Sequence, residues 1–501
     1  MQNGTLLAAL DLGSNSFRLE IGRLDHGQIR RTEYLKEVVR QGNGLDEARN
    51  LSEDAMQRGL DCLARFAERL AGFQKHQVRA VATQTLREAR NRDEFLRRGH
   101  AILGFPIDVI PGREEARLIY QGVSRLLPQS EERRLVVDIG GRSTEMILGQ
   151  GFEARVMESF RVGSVAWSMR YFPRGEFTAD AFRMAQIAAE AVLDEALAAY
   201  GAGHWDTAYG ASGTVGAVAD MLAAAGGPPG LIPRAGLEWL RERLLKARSV
   251  DKLQVEGMKD DRKLVIGGGL SVLLAIFDLL GISEMHAADG ALRHGVLYDL
   301  MERDGADSDV RSASVRRLAR KFDTDQAQAQ RVGNVANQFF AQLQAGGEQT
   351  AEEIDRMQRK LSWAAQLHEI GFLISHSSYH RHGAYVLDNA DAPGFAMPEL
   401  HRLSQLVLGH RGKLRKLEAD LADPALAQQL LALRLAVILC HARRDPDTDG
   451  LKLSAGKGRQ ASRTLSCRAG WTEAFPQSAH LLREEAQAWS KTPWPLALSG
   501  F

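Results

Sequence analysis

Cysteine is scarce in this chain: Cys62, Cys440 and Cys467 are the only three among 501 residues, widely spaced and odd in number. That excludes a disulfide framework and points to a reducing compartment. None sits in a setting that would generate a reactive thiolate. Long apolar runs are absent too. The opening MQNGTLLAALDLGSNSF holds only a short apolar segment without a basic flank, so it does not read as a secretory signal. No stretch approaches the length of a membrane span, and the expected location is cytoplasmic. Net charge is almost nil at +1. This removes any general pull toward membranes or nucleic acid, and sequence-specific nucleic-acid binding is not expected; an anion site must be local.

What is present is length and alternation. At about 150 residues per domain, the chain implies roughly three to four domains. Strand-like runs at 6–10, 78–82, 107–110 and 135–138 alternate with helical patterns. One such pattern, SEDAMQRGLDCLARFAERLAGF, opens at Ser52, a good N-cap, and places Met56, Leu60, Leu63, Ala67 and Leu70 on one face. Alternation of this kind signals α/β architecture. From about Ser308 the strand signal fades and helical patterns dominate, until two short runs around Gly-Lys-Gly near the end suggest a hairpin. The boundary between the halves falls near MERDGADSDV. The division expected is 1–128 and 129–305 for two α/β domains, 306–445 for a helical domain and 446–501 for a small α+β domain.

The most informative feature is an internal repeat. ALDLGSNSFRLEIG aligns with VVDIGGRSTEMILG at an offset of 127: Asp11 meets Asp138, Gly13 meets Gly140, Ser16 meets Ser143 and Gly22 meets Gly149. Both copies read strand, tight turn, strand, so two similar α/β domains can face their turns across a cleft. In such turns glycine lets backbone N–H groups converge on an anion. Ser14, Asn15 and Ser16 in the first turn, and Ser143 and Thr144 in the second, add short donors. Each turn follows an Asp, and a carboxylate tolerates a neighbouring phosphate when a hard cation such as Mg²⁺ lies between them.

Further motifs follow. In GREEARLIYQGV, expected to open a helix, Glu115 shares a stripe with Leu118, Ile119 and Gly122, so it is the acid turned inward; Glu114 lines up with Arg117 and Gln121 as the solvated or paired one. A carboxylate held beside phosphate can orient and deprotonate a water. YGASGTVGAVADML, with Gly210, Ser212 and Gly213, and VIGGGLSVL each lead into an apolar helix, as N–H donors or as close helix–strand packing. ADGALRHGVLYD puts Asp289 before another helix. In the helical half, His368, His376, His380 and His382 invite a metal reading, but their spacing fits no standard zinc motif. HRGKLRK at 410–416 is a local basic run that serves as a solvated face or a polyanion track.

ALDLGSNSFRLEIG, ATQTLREA, GREEARLIY, VVDIGGRSTEMILG, YGASGT, DGALRHGVLYD and LHEIGFLISHSSYHRHGAYVLDNADAPGF occur in this order. Together they resemble the exopolyphosphatase / guanosine pentaphosphate phosphohydrolase family over nearly the whole chain. The resemblance implies two actin-like (ribonuclease H-like) α/β domains followed by a mainly helical HD-like region. It also implies Mg²⁺-dependent removal of a terminal phosphate from inorganic polyphosphate or guanosine pentaphosphate, and a homodimer. It assigns Glu115 as the water-activating base, Asp11, Ser14, Asn15 and Ser16 to the first phosphate loop, and Asp138, Gly140, Gly141, Ser143 and Glu145 to the second. Arg87 falls near the phosphates, and Asp11, Asp138 and Glu145 are the expected Mg²⁺ holders. Two positions depart from the family: Arg142 replaces the third glycine of the second loop, and the HD-type metal pair appears only as His368-Glu369. Exopolyphosphatase activity is the leading expectation; the alternatives are guanosine pentaphosphate hydrolysis and a polyphosphate- or alarmone-binding regulator with little turnover. Arg142 is expected to lie near the polyanion's path as an added cation.

Overall fold

A computed structural model describes residues 1–303, 309–344, 349–455 and 463–501. The chain forms two compact units, Met1–Asp309 and Val310–Phe501. In the first unit, strands β1 (Leu6–Leu12), β2 (Ser16–Asp25), β3 (Gln28–Val38), β4 (Val78–Ala82) and β5 (Ile107–Val109) form a sheet of order β3-β2-β1-β4-β5. Strands β6 (Arg133–Ile139), β7 (Thr144–Gln150), β8 (Glu153–Phe160), β9 (Thr207–Gly210), β10 (Leu231–Pro233) and β11 (Glu284–Ala287) form a second, ordered β10-β11-β9-β6-β7-β8. Each sheet starts as an antiparallel three-stranded meander whose first strand then pairs in parallel with a later one, β4 or β9. The repeat in the sequence is thus a repeat in space. It extends to a register shift beside the aligned glycines, at Ile21/Gly22 and at Leu148/Gly149.

The helices that position the cleft are α1 (Glu53–Arg69), α2 (Gln84–Glu88), α3 (Gly112–Ser124), α4 (Gly213–Ala224), α5 (Ile266–Leu280) and α6 (Leu292–Glu302). Ser52 caps α1 as its sequence implies, its Oγ accepting from Ala55 N at 3.4 Å. Helix α3 buries Leu118, Ile119 and Val123 in a core that also takes Leu7 and Val81 from the first sheet and Val136 and Ile147 from the second. Its back lies against α6 at backbone contact. A Cβ added at Gly295 would sit 1.7 Å from Leu118 O, and one at Gly122 would sit 2.3 Å from Ala291 O. Beside this crossing, Asp299 accepts from Arg79 Nη1 at 2.5 Å, Arg117 Nη2 at 2.5 Å and Arg303 Nε at 2.6 Å. These three guanidinium groups outweigh burial and hold the carboxyl far below the usual range. Glu114 joins the same network through Arg117 Nε at 2.8 Å and is 1% exposed, so it is buried and paired, not solvated.

The second unit is mainly helical: α7 (Val310–Lys321), α8 (Gln326–Gln344), α9 (Ala351–Leu367), α10 (Tyr379–Asp388), α11 (Met397–Gly409), α12 (Pro424–Leu439) and α13 (Pro476–Trp489) surround one apolar core. The predicted C-terminal hairpin is present as antiparallel β12 (Leu451–Ala455) and β13 (Arg463–Cys467), though its Gly-Lys-Gly turn, 456–458, lies outside the described residues. Strand β14 (Leu496–Ser499), too short to read from sequence, adds to β13 in parallel. Arg434 on α12 and Glu485 on α13 form a buried two-point ion pair at 2.5 and 2.6 Å. The histidines here form ring packing. His368 Nδ1 donates to Ala365 O at 2.7 Å and His410 Nδ1 to Val407 O at 2.6 Å, while His410 Nε2 accepts from Tyr379 Oη at 3.3 Å. Burial holds both rings neutral, with proton affinities below the ordinary histidine value. Among the described residues, no three His, Cys, Asp or Glu side chains gather into a ready-made metal cage.

Candidate active site

The two glycine loops meet. Loop 1 joins β1 to β2, and loop 2 joins β6 to β7. A Cβ added at Gly141 would lie 3.1 Å from Ser14 Cβ and 3.6 Å from Asn15 N, so only glycine allows this approach without displacement. The loop carbonyls are engaged from behind. Ser14 O accepts from Gly42 N at 2.8 Å and Asn15 O from Arg40 N at 2.9 Å; Gly140 O accepts from Ser164 N at 2.9 Å and Gly141 O from Val165 N at 2.8 Å. These bonds draw the negative ends of the loop peptides away from the cleft, which favours an anion there. Ser14 Oγ accepts from Thr85 Oγ1 at 2.7 Å, while Ser16 Oγ is buried without a partner. Ser143 is buried beside Gly140, whose N–H donates to Ser143 O at 2.9 Å.

Register sets the charges. Asp11 and Arg18 are directly opposite across β1 and β2, and Arg18 Nη1 donates to Asp11 Oδ2 at 2.8 Å. Asp138 and Glu145 are the equivalent pair across β6 and β7. Here two carboxylates face each other, an arrangement that repels unless something neutralises it. Removal from water, and then Glu115, push Asp138 up to about 7, against the opposing pull of Arg18. Burial, then Glu115 and Asp138, push Glu145 well above the usual range, although Ser159 Oγ donates to its Oε1 at 2.7 Å. Glu115, 7% exposed on the first turn of α3, is also raised, first by burial. Arg87 opposes this through its charge and by donating from Nη1 to Glu115 Oε2 at 3.1 Å; the same Nη1 also donates to Ile110 O at 2.7 Å.

These shifts and those of the buried histidines carry opposite signs. A carboxylate raised in the folded state stabilises it at low pH, and that contribution is lost as pH rises through about 7 for Asp138. A histidine lowered in the folded state stabilises it above the ordinary value of about 6.5, and that contribution is lost as pH falls. With chelator present, acidification from about pH 8 to 5.5 is therefore expected to raise hydrogen-exchange protection in β6 and β7 and to lower it in α11. Parallel shifts in both regions would contradict this assignment.

Asp138 and Glu145 are hard oxygen donors that form no ion pair among the described residues, whereas Asp11 is already paired with Arg18. The chemistry of this acid pair would suit a hard cation. Mg²⁺ typically takes one or two carboxylates and completes its sphere with water and substrate phosphate, so no preformed cage is required.

The remaining predicted residues divide. Gly210 ends β9, where a Cβ would lie 2.4 Å from Val215 Cγ1; its lack of a side chain serves helix–strand packing. Ser212 caps α4, its Oγ accepting from Thr214 N at 3.2 Å and Val215 N at 3.1 Å, so those two N–H groups are already engaged. Gly213 lies under the Arg262 guanidinium, 2.4 Å from a built Cβ to Nη2. The glycines of VIGGGLSVL pack closely as well, Gly267 on Phe172 and Gly268 on Ser168, and Asp289 is exposed. Arg142 does not extend free into the cleft: it reaches across to Gly42 O at 3.2 Å and Glu88 Oε2 at 3.3 Å. Sequence reasoning missed Arg18 and Arg262. Arg18 was detectable, because at an offset of 127 it aligns with Glu145, a charge inversion inside an otherwise matched repeat. Arg262 carried no local signal. Its nearest carboxylate is Asp261 at 3.9 Å, and burial together with the nearby Arg18 makes its charge costly. A phosphate would relieve that cost.

Comparison with known proteins follows the same division. The profile of the Ppx/GppA phosphatase family matches residues 21–304, and that of the Ppx/GppA phosphatase domain III matches 310–486. The chain is 39% identical over 496 residues to the guanosine-5'-triphosphate,3'-diphosphate pyrophosphatase of Vibrio cholerae serotype O1, covering 98% of both chains. It is 38% identical over 495 residues to the protein of that name from Photobacterium profundum, again covering 98% of both. Among solved structures, the Aquifex aeolicus member of the Ppx/GppA family superposes with a TM-score of 0.51 at 25% identity, covering 60% of this chain and 99% of that one. With family matches across both units and relatives aligned over nearly its full length, the chain is an enzyme of the Ppx/GppA phosphatase family, with the actin-like α/β fold of that family's solved structures.

Proposed function

We propose that this enzyme hydrolyses guanosine pentaphosphate, releasing its terminal 5'-phosphate by water attack. The observation that carries the substrate is the 39% identity over 98% of both chains to a protein named for that nucleotide. This moves polyphosphate from first place to second. Its support is a solved exopolyphosphatase-like protein at 25% identity, TM-score 0.55, covering 60% of this chain and 98% of that one.

In the mechanism, Glu115 orients the attacking water and takes its proton; burial raises its proton affinity and Arg87 opposes that rise. Loop N–H groups from 13–16 and 141–143, with the Ser16 hydroxyl, hold the equatorial oxygens of the transferring phosphoryl group. Asp11, Asp138 and Glu145 would hold Mg²⁺, which when bound neutralises charge on the phosphates. Arg18 and Arg262 supply fixed positive charge for the remaining phosphates. Little covalent chemistry is required; positioning and charge stabilisation carry the rate.

We read the helical unit as an HD-like scaffold kept for shape. His368 donates to Ala365 O and Glu369 accepts from Arg443 Nη2 at 2.7 Å, so both are committed to packing partners. Free Cys62, Cys440 and Cys467 suit a reducing, cytoplasmic setting.

The test is phosphate release from guanosine pentaphosphate and from long-chain polyphosphate, side by side at equal Mg²⁺. A kcat/KM at least about tenfold higher on the nucleotide is expected, a difference of about 1.4 kcal/mol in transition-state binding. The reverse ratio would restore the exopolyphosphatase reading, and binding of both without release would favour a sensor.

A further inference from the structure

The Arg142 side chain reaches the base through a chain of contacts. Arg142 Nη2 donates to Glu88 Oε2 at 3.3 Å, and Gln84 Nε2 donates to the other oxygen, Oε1, at 2.5 Å. Gln84 Oε1 accepts from Arg87 Nε at 3.0 Å and from Arg87 Nη2, and Arg87 Nη1 donates to Glu115 Oε2 at 3.1 Å. One end lies on loop 2 of the second sheet; every other member lies on α2 or α3, beside the first sheet. Arg142 Nη1 also donates to Gly42 O at 3.2 Å, on the turn that closes over loop 1.

Charge explains why Arg142 matters here. Glu88 is a largely buried carboxylate, its side chain 14% exposed, and Arg142 is its ion-pair partner among the described residues. The next cation along is Arg87, its neighbour in sequence and its neighbour through Gln84. If Arg142 were removed, Glu88 would lose its ion-pair partner. A partly buried, unpaired carboxylate attracts the nearest cation strongly. Drawing Arg87 toward Glu88 would take it from Glu115 and release the base from its orientation. A glycine at 142 would make no such link.

We infer that Arg142 is a positioning residue. By satisfying Glu88 it keeps Arg87 on Glu115, so a side chain of loop 2 supports the base from the opposite lobe. This replaces the expectation that Arg142 contacts the polyanion directly. The inference rests on Glu115 acting as the base, but not on which phosphoanhydride is cleaved.

The test is steady-state kinetics on the full-length protein for Arg142→Ala, Arg142→Lys, Glu88→Gln and the double variant Arg142→Ala/Glu88→Gln, using whichever of the two substrates the wild type hydrolyses. Arg142→Ala should lower kcat between about ten- and a hundredfold, the cost of a misplaced catalytic group, with KM changed less than about twofold. Arg142→Lys should recover part of the loss. In the Glu88→Gln background no stranded charge remains to divert Arg87, so removing Arg142 should cost less than about threefold, a coupling that a contact with substrate would not show. A raised KM at unchanged kcat, or equal costs of Arg142→Ala in the two backgrounds, overturns the inference. If Arg142→Ala is too unstable to assay, the comparison of Arg142→Lys with and without Glu88→Gln decides on the same criterion. Full activity of Glu115→Gln would instead remove the base on which the inference rests, an outcome distinguishable from failure of the Arg142 link.

Discussion

Glu115→Gln is expected to lower kcat by about 10²- to 10⁴-fold while KM stays within a few-fold, because loss of a general base removes a contribution of that size and little binding energy. The substitution is nearly isosteric. An amide oxygen at the same position can still accept from Arg87 Nη1, now 3.1 Å from Oε2, and the residue keeps its buried place on the first turn of α3. What is lost is the ability to take a proton. The binding elements, loops 13–16 and 140–143, lie on other strands and should hold substrate as before. Single-turnover phosphate release, with binding measured separately, checks this. Near wild-type release would reject Glu115 as the base, and a large rise in Kd would place it in binding instead.

Gly295→Val should produce the largest structural effect. Its Cβ would lie 1.7 Å from Leu118 O and 2.6 Å from Leu118 C, both backbone atoms that no rotamer change can clear. Helices α3 and α6 must separate, exposing Leu118 and Val296, both fully buried. Overpacking of this severity is expected to cost about 3 kcal/mol or more, at or beyond the upper end for inserted bulk. Gly216 on α4 is the matched control. A Cβ there meets nothing within 4 Å, so Gly216→Ala should be neutral or stabilising by up to about 1 kcal/mol. Urea unfolding of both variants measures the difference. If Gly295→Val unfolds at the wild-type midpoint, the close crossing is not what sets the position of α3.

The sequence revealed the part of this molecule that obeys local rules. Hairpins β1–β2 and β6–β7 were visible because alternation and tight turns are short-range, and their kinship was visible because Asp, Gly and Ser recur at one offset. Helical periodicity placed Glu115 inward as found, but it did not foresee that Glu114 is buried as well, at 1% against 7% exposure, within an arginine network. What stayed hidden depended on partners distant in the chain. Arg142 meets a carboxylate 54 residues away, and nothing in GGRSTE specifies it. Arg262 reaches Gly213 from a short helix, Asp260–Lys263, that carries no motif. Gly210 sits in a motif that reads as a phosphate loop, yet its local chemistry cannot distinguish an anion from the side chain of Val215. Strand β14, four residues long, has too little pattern to stand out until β13 lies beside it.

The inverted position in the duplicated hairpin has a consequence for how the cleft meets its surroundings. In the first copy the neutralising charge is encoded: Arg18 answers Asp11 within the same hairpin. In the second copy it is not, because Glu145 stands where Arg18 would. Burial and neighbouring carboxylates raise the proton affinities of both acids in the second copy. The same hairpin thus holds an ion pair in one lobe and a proton-hungry acid pair in the other.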